Sequence, residues 1–178
     1  MNIYLNALLA LMTLMTVTVH ANSLELRKNS SSIFIQEKPS WKLAKNLFGI
    51  PFLYFSPMRS GQRSNISFTD TGAELELEIN ALAKSQKDYQ KDRRAWTKKV
   101  GASLVSVLPY EVRSNVHGHK VHSIGFSYAH KSKVYYEKSY YIECRGRILF
   151  SKSLRLRENE NHEKDFTDLI QSLDCAGF

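Results

Sequence analysis

The second half of the chain contains four β-rich runs joined by very short connections, and this pattern constrains the fold more than any other feature. The runs are rich in Val, Ile, Tyr and Phe and have one apolar face, and they cover residues 104–112, 120–129, 134–144 and 147–156. Only Arg145 and Gly146 separate the last two runs, which is the length of a tight hairpin turn. Consecutive strands with short connections pair antiparallel. The sequence therefore predicts an antiparallel meander of four strands.

Helical periodicity lies on both sides of these runs. Between Ala73 and Gly101 the apolar residues recur at steps of three, four or seven positions, as expected for a helix that packs on a sheet. These residues are Leu75, Ile79, Leu82, Tyr89, Trp96 and Val100. Near the end of the chain, the i, i+3, i+4, i+7 pattern is formed by Phe166, Leu169, Ile170 and Leu173. We expect a long helix and a closing helix, both packed on the sheet through their apolar stripes.

The residues before Ala73 predict shorter elements. Strands are expected at 33–35, 52–55 and 65–69. A short helix is expected from Trp41 to Phe48, because its apolar residues have helical spacing and Gly49 follows it. Residues 22–32 are polar and are expected to form a disordered lead-in. We expect residues 33–178 to form a single domain.

Several short motifs stand at corresponding places in this layout. They are Arg63, Asn65 and Ser67 on the strand before the long helix, the turn Val116-His117-Gly118, the strand from Ile124 to Tyr128, and Ile170-Gln171-Ser172-Leu173 in the closing helix. Together with the order of elements over residues 51–175, they resemble the PsbP-like superfamily. That superfamily includes the extrinsic P protein of photosystem II, the Ran-binding Mog protein and many small periplasmic proteins and lipoproteins of bacteria.

The resemblance implies an α+β fold of a particular kind. In this α/β/α sandwich, the long helix and the C-terminal helix pack on an antiparallel sheet. The resemblance implies no shared catalytic residues, and most members of the superfamily act by binding. A fold alone does not define an activity. We therefore expect a non-enzymatic domain without a cofactor.

The first 21 residues contain no Lys, Arg, Asp or Glu and end in Val19-His20-Ala21, which places small residues where signal peptidase reads them. We interpret residues 1–21 as a signal peptide, so the mature protein would begin at Asn22 and be periplasmic or secreted. No Cys follows Ala21, so a lipid anchor of the bacterial type is not expected. The alternative is an uncleaved membrane anchor, for which an apolar run of about 17 residues is short.

The chain has two cysteines, Cys144 and Cys175. In an exported protein an even number of cysteines favours a disulfide, and this one would tie the end of the chain to the middle of the domain. It would close a loop of about 30 residues and contribute on the order of 3 kcal/mol to stability. Two buried free thiols are the alternative.

The chain carries 25 Lys and Arg against 17 Asp and Glu, a formal net charge of +8. This charge suggests an anionic partner, such as membrane head groups, an envelope polymer or an acidic protein face. A possible anion-binding or partner face lies on the last β-rich run, at Arg147, Arg155 and Arg157.

Basic residues interleaved with tyrosines are also typical of nucleic-acid binding, but export argues against that partner. The alternative is that tyrosine is a common strand residue and that the charges keep the sheet edge soluble. We expect a monomer that is not embedded in a membrane after processing.

His117, His119 and His122 form a cluster that resembles a metal site. No Asp, Glu or Cys stands near them in sequence to complete a ligand shell, so we expect a solvated turn and no metal.

The stretch from Gly125 to Ala129 is close in sequence to the nucleophile elbow of serine hydrolases. That motif needs a strand-to-helix turn, and no helix is predicted after it here. The sequence also contains no glycine-rich phosphate loop.

The sequence thus favours an exported, non-enzymatic binding or accessory domain that contacts an anionic envelope component or a protein partner. A small hydrolase or metal-dependent enzyme that uses His117, His119 and His122 is one alternative. A cleft that gathers one of these histidines with a carboxylate would favour it. A membrane-tethered structural factor is the other alternative, if residues 1–21 are retained.

Overall fold

The computed structural model describes residues 23–28, 31–59, 61–74 and 88–177. These residues form an α+β fold with two antiparallel sheets and two helices. The strands are β1 (Ser23–Lys28), β2 (Ser31–Gln36), β3 (Lys42–Leu47), β4 (Ile50–Phe55), β5 (Asn65–Glu74), β6 (Ser103–Ser114), β7 (Lys120–His130), β8 (Lys133–Cys144), β9 (Arg147–Leu156) and β10 (Asp174–Gly177). The helices are α1 at residues 88–99 and α2 (Asn161–Gln171), and a 3-10 turn (Arg157–Asn159) precedes α2.

The predicted four-stranded meander is confirmed. Strands β6, β7, β8 and β9 are antiparallel neighbours in a seven-stranded sheet of order β3-β4-β5-β9-β8-β7-β6. His130 pairs with Lys133, so the β7–β8 turn holds only Lys131 and Ser132. The second sheet has three strands in the order β1-β2-β10.

The segment from Trp41 to Phe48 is a strand rather than the predicted helix. Strand β3 pairs with β4 as a hairpin, with Leu47 opposite Ile50. Phe48 and Gly49 form the turn with φ angles of 52° and 78°, in the left-handed region. Helical spacing over such a short segment is a weak signal, because an isolated short helix is marginal and strand pairing with the hydrophobic β4 competes with it.

Residues 23–28 form a strand that pairs with β2, where the sequence predicted a disordered lead-in over residues 22–32. Strand β1 pairs with β2, and Leu26 stands opposite Ile33 with both side chains almost fully buried. Leu24 and Leu26 alternate with polar residues, which is the period-two signal of a half-buried strand. The ordered structure therefore begins before the predicted boundary at residue 33.

The long helix is described only in its second part. Residues 88–99 are helical as predicted, whereas residues 75–87 lie outside the described residues, as does the predicted signal peptide at 1–21. Strand β5 continues to Glu74, beyond its predicted end at residue 69. Neither of the two described helices is both long and apolar enough to cross a membrane.

The two described helices pack against opposite faces of the large sheet. Successive residues of a strand point to opposite faces, and β7 shows this clearly. Phe126 contacts Trp96 of α1, with ring centres 5.6 Å apart. Val121 and Ser123 instead line a small cavity together with Ile170 of α2. The predicted sandwich therefore fits broadly, with the small sheet as an additional part.

The main hydrophobic core lies between the large sheet, α2 and the small sheet. Phe68 and Ile142 of the large sheet, Phe166 of α2 and Ile35 of β2 all belong to it. A disulfide joins Cys144 to Cys175 within this core, as predicted.

Candidate functional site

The end of the large sheet at which β7 turns into β8 collects much of the positive charge of the chain. The residues before β3 lie at this end and carry Glu37 and Lys38, which add no net charge. Four further connections meet there, namely the β4–β5 loop, the α1–β6 connection, the β7–β8 turn and the residues that follow β9. The basic residues in these four connections, or directly beside them at the end of α1 and the start of β8, are Arg59, Arg63, Lys98, Lys99, Lys131, Lys133 and Arg157. In sequence, these connections contain two acids, Glu158 and Glu160. We call the seven basic residues the basic end.

The strand register places these connections side by side. Tyr135 of β8 pairs with Leu156 of β9. Lys133 and Arg157 therefore lie just beyond this last pair. Strand β5 begins to pair with the other side of β9 at nearly the same level, which places Arg63 beside them. On the other side, β6 starts beside the end of β7, so the two lysines before β6 join the same end.

The β4–β5 loop of the basic end is held by several hydrogen bonds. The Ser56 amide donates to the Ser64 carbonyl at 2.9 Å, and Arg59 and Gln62 exchange two backbone hydrogen bonds of 2.9 Å. Gln62 Nε2 also donates to the Tyr135 hydroxyl at 2.9 Å, which fixes the loop to β8. A loop held in this way presents its cations with little loss of conformational freedom on binding.

The β7–β8 turn presents Lys131 at its tip. Lys131 and Ser132 have φ angles of 46° and 62°, and a two-residue turn of this kind matches the twist of a hairpin. Positive φ is unfavourable for residues other than glycine, asparagine and aspartate. The position of Lys131 is therefore set by the pairing of the strands and not by the preference of the turn residues.

A row of aromatic rings fixes the end of α1 near the basic end. Tyr135 stacks on Tyr128 with ring centres 5.2 Å apart, and Trp96 of α1 contacts Tyr128 edge-on at 5.4 Å. Trp96 also contacts Phe126 at 5.6 Å. These contacts hold the helix end that leads to Lys98 against the sheet.

The three arginines that the sequence suggested as a partner face do not lie together. Arg155 is buried, its Nε donates to Glu163 Oε2 at 2.9 Å, and its guanidinium lies 4.4 Å from the centre of the Tyr136 ring. Arg147 stands eight residues away on β9, roughly 26 Å along the strand, and forms an ion pair with a β5 carboxylate. Arg157 alone among the three belongs to the basic end. Anion binding by these three residues stays a prediction.

His117 and His119 lie in the β6–β7 turn at the opposite end of the sheet. Their ring centres are 6.5 Å apart, and His119 Nε2 lies 3.1 Å from Asp174 Oδ1. The Asn115 side-chain oxygen accepts hydrogen bonds of 3.0 Å from the backbone N–H groups of both histidines. The turn is therefore built by hydrogen bonds and docked on β10 through His119, while His117 is exposed.

His122 is separate from that turn and lies in a hydrogen-bond chain across β6, β7 and β8. Its Nε2 lies 2.7 Å from Glu143 Oε1, and its Nδ1 lies 2.6 Å from the Tyr110 hydroxyl oxygen. The carboxylate can only accept, so a neutral His122 ring carries its proton on Nε2 and accepts the Tyr110 proton at Nδ1. Burial raises the pKa of Tyr110, and the charge of Glu143 raises it further, so this phenol is neutral.

The three histidines thus do not form one cluster. His119 and His122 each meet a carboxylate, but a different one and in a different place. Within the described ranges, no group of three or more His, Cys, Asp and Glu side chains has an arrangement that could hold a metal ion. Sequence reasoning missed Tyr110 and Glu143, because their approach to His122 depends on the pairing of three strands.

The hydrolase-like motif lies inside a regular strand. Ser127 is fully buried in β7, and its Oγ lies 2.7 Å from Ser106 Oγ on β6. Strand β7 continues to His130 and turns directly into β8, so no helix follows it. This geometry differs from a nucleophile elbow, which places the serine on a sharp exposed turn.

Two described helices on opposite faces of an antiparallel sheet, with a meander at its centre, agree with the PsbP-like fold that the motifs implied. The solution structure of cyanobacterial PsbP (CyanoP) from Synechocystis sp. PCC 6803 matches with a TM-score of 0.52 and 8% sequence identity, over 93% of this chain and 99% of that chain. The crystal structure of LpqN, involved in cell envelope biogenesis of Mycobacterium tuberculosis, matches with a TM-score of 0.50 and 13% identity, over 85% of this chain and 88% of that chain. No family model and no curated protein sequence matches the chain. The chain therefore has a PsbP-like fold.

Proposed function

We propose that this protein is an exported accessory or binding domain that contacts an anionic component of the cell envelope through its basic end. The observation that carries the proposal is the convergence of four connections at one end of the large sheet. Seven basic residues against two acids account there for five of the eight net positive charges of the chain. Export rests on residues 1–21, which have the composition and cleavage site of a signal peptide.

The charge is distributed unevenly along the strand direction. At the opposite end of the sheet, positive and negative groups pair with each other, as Arg113 does with Glu111 at 3.1 Å and Arg147 with Asp70. Complementary potentials orient a molecule as it approaches its partner. The domain would therefore meet an anionic surface with its strands pointing at that surface.

The basic end suits a phosphate-rich surface better than an enclosed ligand. Each Lys or Arg near an anionic membrane surface contributes about 1 kcal/mol to binding. The hydrogen bonds of the β4–β5 loop and the aromatic contacts of α1 hold the backbone segments that carry several of these cations. The fold is also that of LpqN, a protein involved in envelope biogenesis, and this supports the proposal only at the level of the fold.

Vesicle binding tests the role of the basic end. The exported protein should sediment with vesicles of phosphatidylglycerol and phosphatidylcholine, but not with phosphatidylcholine alone, and added salt should weaken binding. A variant of the basic end replaces four cations by glutamine, at Arg59, Arg63, Lys98 and Lys131. We expect it to lose on the order of several hundredfold in affinity, because about 1 kcal/mol is removed for each of the four cations.

A matched control separates the location of charge from its total. The control also replaces four cations by glutamine, at Lys45, Arg113, Lys120 and Arg145, so both variants have the same net charge. It should bind the vesicles nearly as well as the unchanged protein. Equal losses of vesicle affinity in the two variants would show that net charge alone determines binding. The basic end would then not be the binding surface.

Two further measurements test the remaining parts of the proposal. If the protein ignores the vesicles but binds soluble polyphosphate, with the same difference between the two variants, the anionic partner is a polymer and not a lipid surface. The N-terminal residue of the exported protein should be Asn22. A protein that keeps residues 1–21 would contradict cleavage and favour a membrane tether.

A further inference from the structure

Two exposed apolar side chains stand next to cations of the basic end. Met58 precedes Arg59 in the β4–β5 loop and is 61% exposed. Val100 follows Lys98 and Lys99 after α1 and is 42% exposed. Single exposed apolar residues are common on protein surfaces. These two differ from such residues because each directly adjoins cations, and because both lie at the same end of the large sheet.

Hydrogen bonds fix the segment that carries Met58. On one side of it, the Ser64 amide donates to Ser56 Oγ at 3.0 Å, at the base of the loop. On the other side, Arg59 and Gln62 exchange their two backbone hydrogen bonds. The loop therefore holds the backbone at Met58 in place, with most of the side chain in contact with water.

A helix-capping motif fixes the segment that carries Val100. The Ala102 amide donates to the Thr97 carbonyl oxygen at 2.8 Å, and the Gly101 amide donates to the Lys98 carbonyl oxygen at 3.3 Å. Gly101 has a φ angle of 68°, so the two bonds form a Schellman motif at the end of α1. The motif ends the helix and holds the backbone of Val100 beside that of the preceding lysines.

Met58 and Val100 lie on opposite sides of the basic end. The loop of Met58 leads into β5, and Val100 stands shortly before β6. Four strand spacings separate β5 from β6 in the sheet, which is about 19 Å. A broad surface, rather than a pocket-sized ligand, therefore reaches both side chains together with the cations around them.

The opposite end of the sheet provides a comparison. Phe48 in the β3–β4 turn is 91% exposed there, more than either apolar residue of the basic end. At that end Arg113 and Arg147 pair with carboxylates. At the basic end, no carboxylate of the described residues lies within ion-pair distance of Arg59 or Lys99. An anionic surface that is attracted by the basic end does not reach Phe48, which makes this residue a control.

We propose that the anionic partner of the basic end is a lipid bilayer, and that Met58 and Val100 insert at the boundary between its head groups and acyl chains. This mode of docking rests on the function proposed above and specifies the partner. The cations lie among the phosphates of the head groups, and the two apolar side chains lose their contact with water. Binding then has a component that salt does not screen, because burial of apolar surface is not an electrostatic interaction.

Tryptophan substitution tests which end of the sheet enters the bilayer. Met58→Trp and Phe48→Trp place the same fluorophore at two exposed positions, one at each end. Each variant is mixed with vesicles of phosphatidylglycerol and brominated phosphatidylcholine, since bromine on the acyl chains quenches tryptophan on contact. Trp41 and Trp96 give a background that is measured in the unchanged protein. The added fluorescence of Met58→Trp should shift to the blue and be quenched, and that of Phe48→Trp should be retained.

Affinity measurements test what insertion contributes. Met58→Gln keeps the length of the side chain and removes its apolar character, so it should bind phosphatidylglycerol vesicles about five- to twentyfold more weakly. Val100→Thr should weaken binding less, because less of Val100 is exposed. The matched control, Phe48→Gln, should bind as the unchanged protein does. Soluble polyphosphate has no apolar layer, and Met58→Gln should bind it as well as the unchanged protein does.

Three results would overturn docking by insertion. If Met58→Trp is not quenched while the glutamine variant of the basic end still loses vesicle affinity, charge alone binds the head groups, and the function proposed above stands. If Phe48→Trp is quenched instead, the domain meets the bilayer with its opposite end, and both proposals are wrong. If the unchanged protein binds polyphosphate but no vesicles, the partner is a polymer and no side chain inserts.

Discussion

Cys144, the last residue of β8 in the seven-stranded sheet, is joined by a disulfide to Cys175 of β10 in the three-stranded sheet. Both residues are fully buried, and 31 positions separate them in sequence. The core also contains side chains of both sheets, for example Leu26 and Ile33 of the three-stranded sheet and Phe68 and Ile142 of the seven-stranded sheet. The disulfide therefore provides a covalent link between the two sheets.

Loss of this link should destabilise the protein. The double variant Cys144→Ala, Cys175→Ala is expected to lower the free energy of unfolding by about 3 kcal/mol, since the cross-link restricts the unfolded chain over a loop of this length. Urea unfolding measures the change. Mass spectrometry of the protein purified without reductant should show a peptide pair that contains both cysteines, and two free thiols would contradict the disulfide.

His162 should make the protein sensitive to mild acid. Its Nδ1 lies 2.7 Å from Ser64 Oγ, its ring contacts Trp41 edge-on, and burial lowers its pKa from 6.5. The unfolded chain therefore takes up this proton at a higher pH than the folded chain does. Stability should be fully present above about pH 6.5 and fall as the pH decreases, by at most about 2 kcal/mol at pH 5.

Unfolding in urea as a function of pH tests this assignment. The His162→Gln variant should lose the part of the pH dependence between neutral pH and pH 5. The control, His130→Gln at the β7–β8 turn, should keep it. If the two variants have the same pH profile, another group is responsible for the acid sensitivity.

The β8 backbone lies close to Gly125 of β7. A Cβ atom at this position would stand 2.6 Å from the Glu137 carbonyl oxygen and 3.0 Å from Leu108 Cδ1. The carbonyl belongs to the backbone of the paired strand and cannot move away without breaking the register. Gly125→Ala should therefore lower the free energy of unfolding by about 2 kcal/mol or more.

The matched control for this substitution is Ser123→Ala, two residues earlier on the same face of β7. It introduces no new atom. In thermal or urea unfolding, it should lower the free energy of unfolding by less than Gly125→Ala does. A Gly125→Ala variant as stable as the unchanged protein would contradict the close approach. It would also remove the structural reason for a glycine in the hydrolase-like motif.

Much of the fold could be predicted because its strongest signals are local. The meander strands have an apolar face over ten or more residues, and their connections are too short for any crossover. The β3 strand was predicted as a helix, because a segment as short as Trp41 to Phe48 fits both the helical and the strand periodicity of apolar residues. Only its pairing with β4 decides between helix and strand. The β1 strand was missed because Leu24 and Leu26 give just two steps of alternation between polar residues.

The basic end could not be predicted because its residues are neighbours only in space. They come from four connections between Arg59 and Arg157, and the register of four strand pairs brings them together. The hydrogen-bond chain of Tyr110, His122 and Glu143 has the same origin, since each residue belongs to a different strand. Sequence reasoning instead favoured residues on a single strand, where neighbours are visible in the sequence itself.

Arg155 provides the sharpest test of where anions bind, because the sequence and the structure assign it different roles. As part of a partner face it would bind an anion, whereas in the structure it pairs with Glu163, lies over Tyr136 and is 8% exposed. Arg155→Met should lower the free energy of unfolding by about 1–3 kcal/mol, less than for a fully buried pair, because the Glu163 side chain is 44% exposed and remains hydrated. Its binding to phosphatidylglycerol vesicles should be unchanged below the unfolding transition.

Arg157→Gln changes a residue that is exposed at the basic end, and it should have the reverse effect, with weaker vesicle binding and an unchanged free energy of unfolding. If Arg155→Met weakens vesicle binding more than Arg157→Gln does, the face of Arg147, Arg155 and Arg157 would be correct after all, and the buried ion pair would have to open when the anion binds.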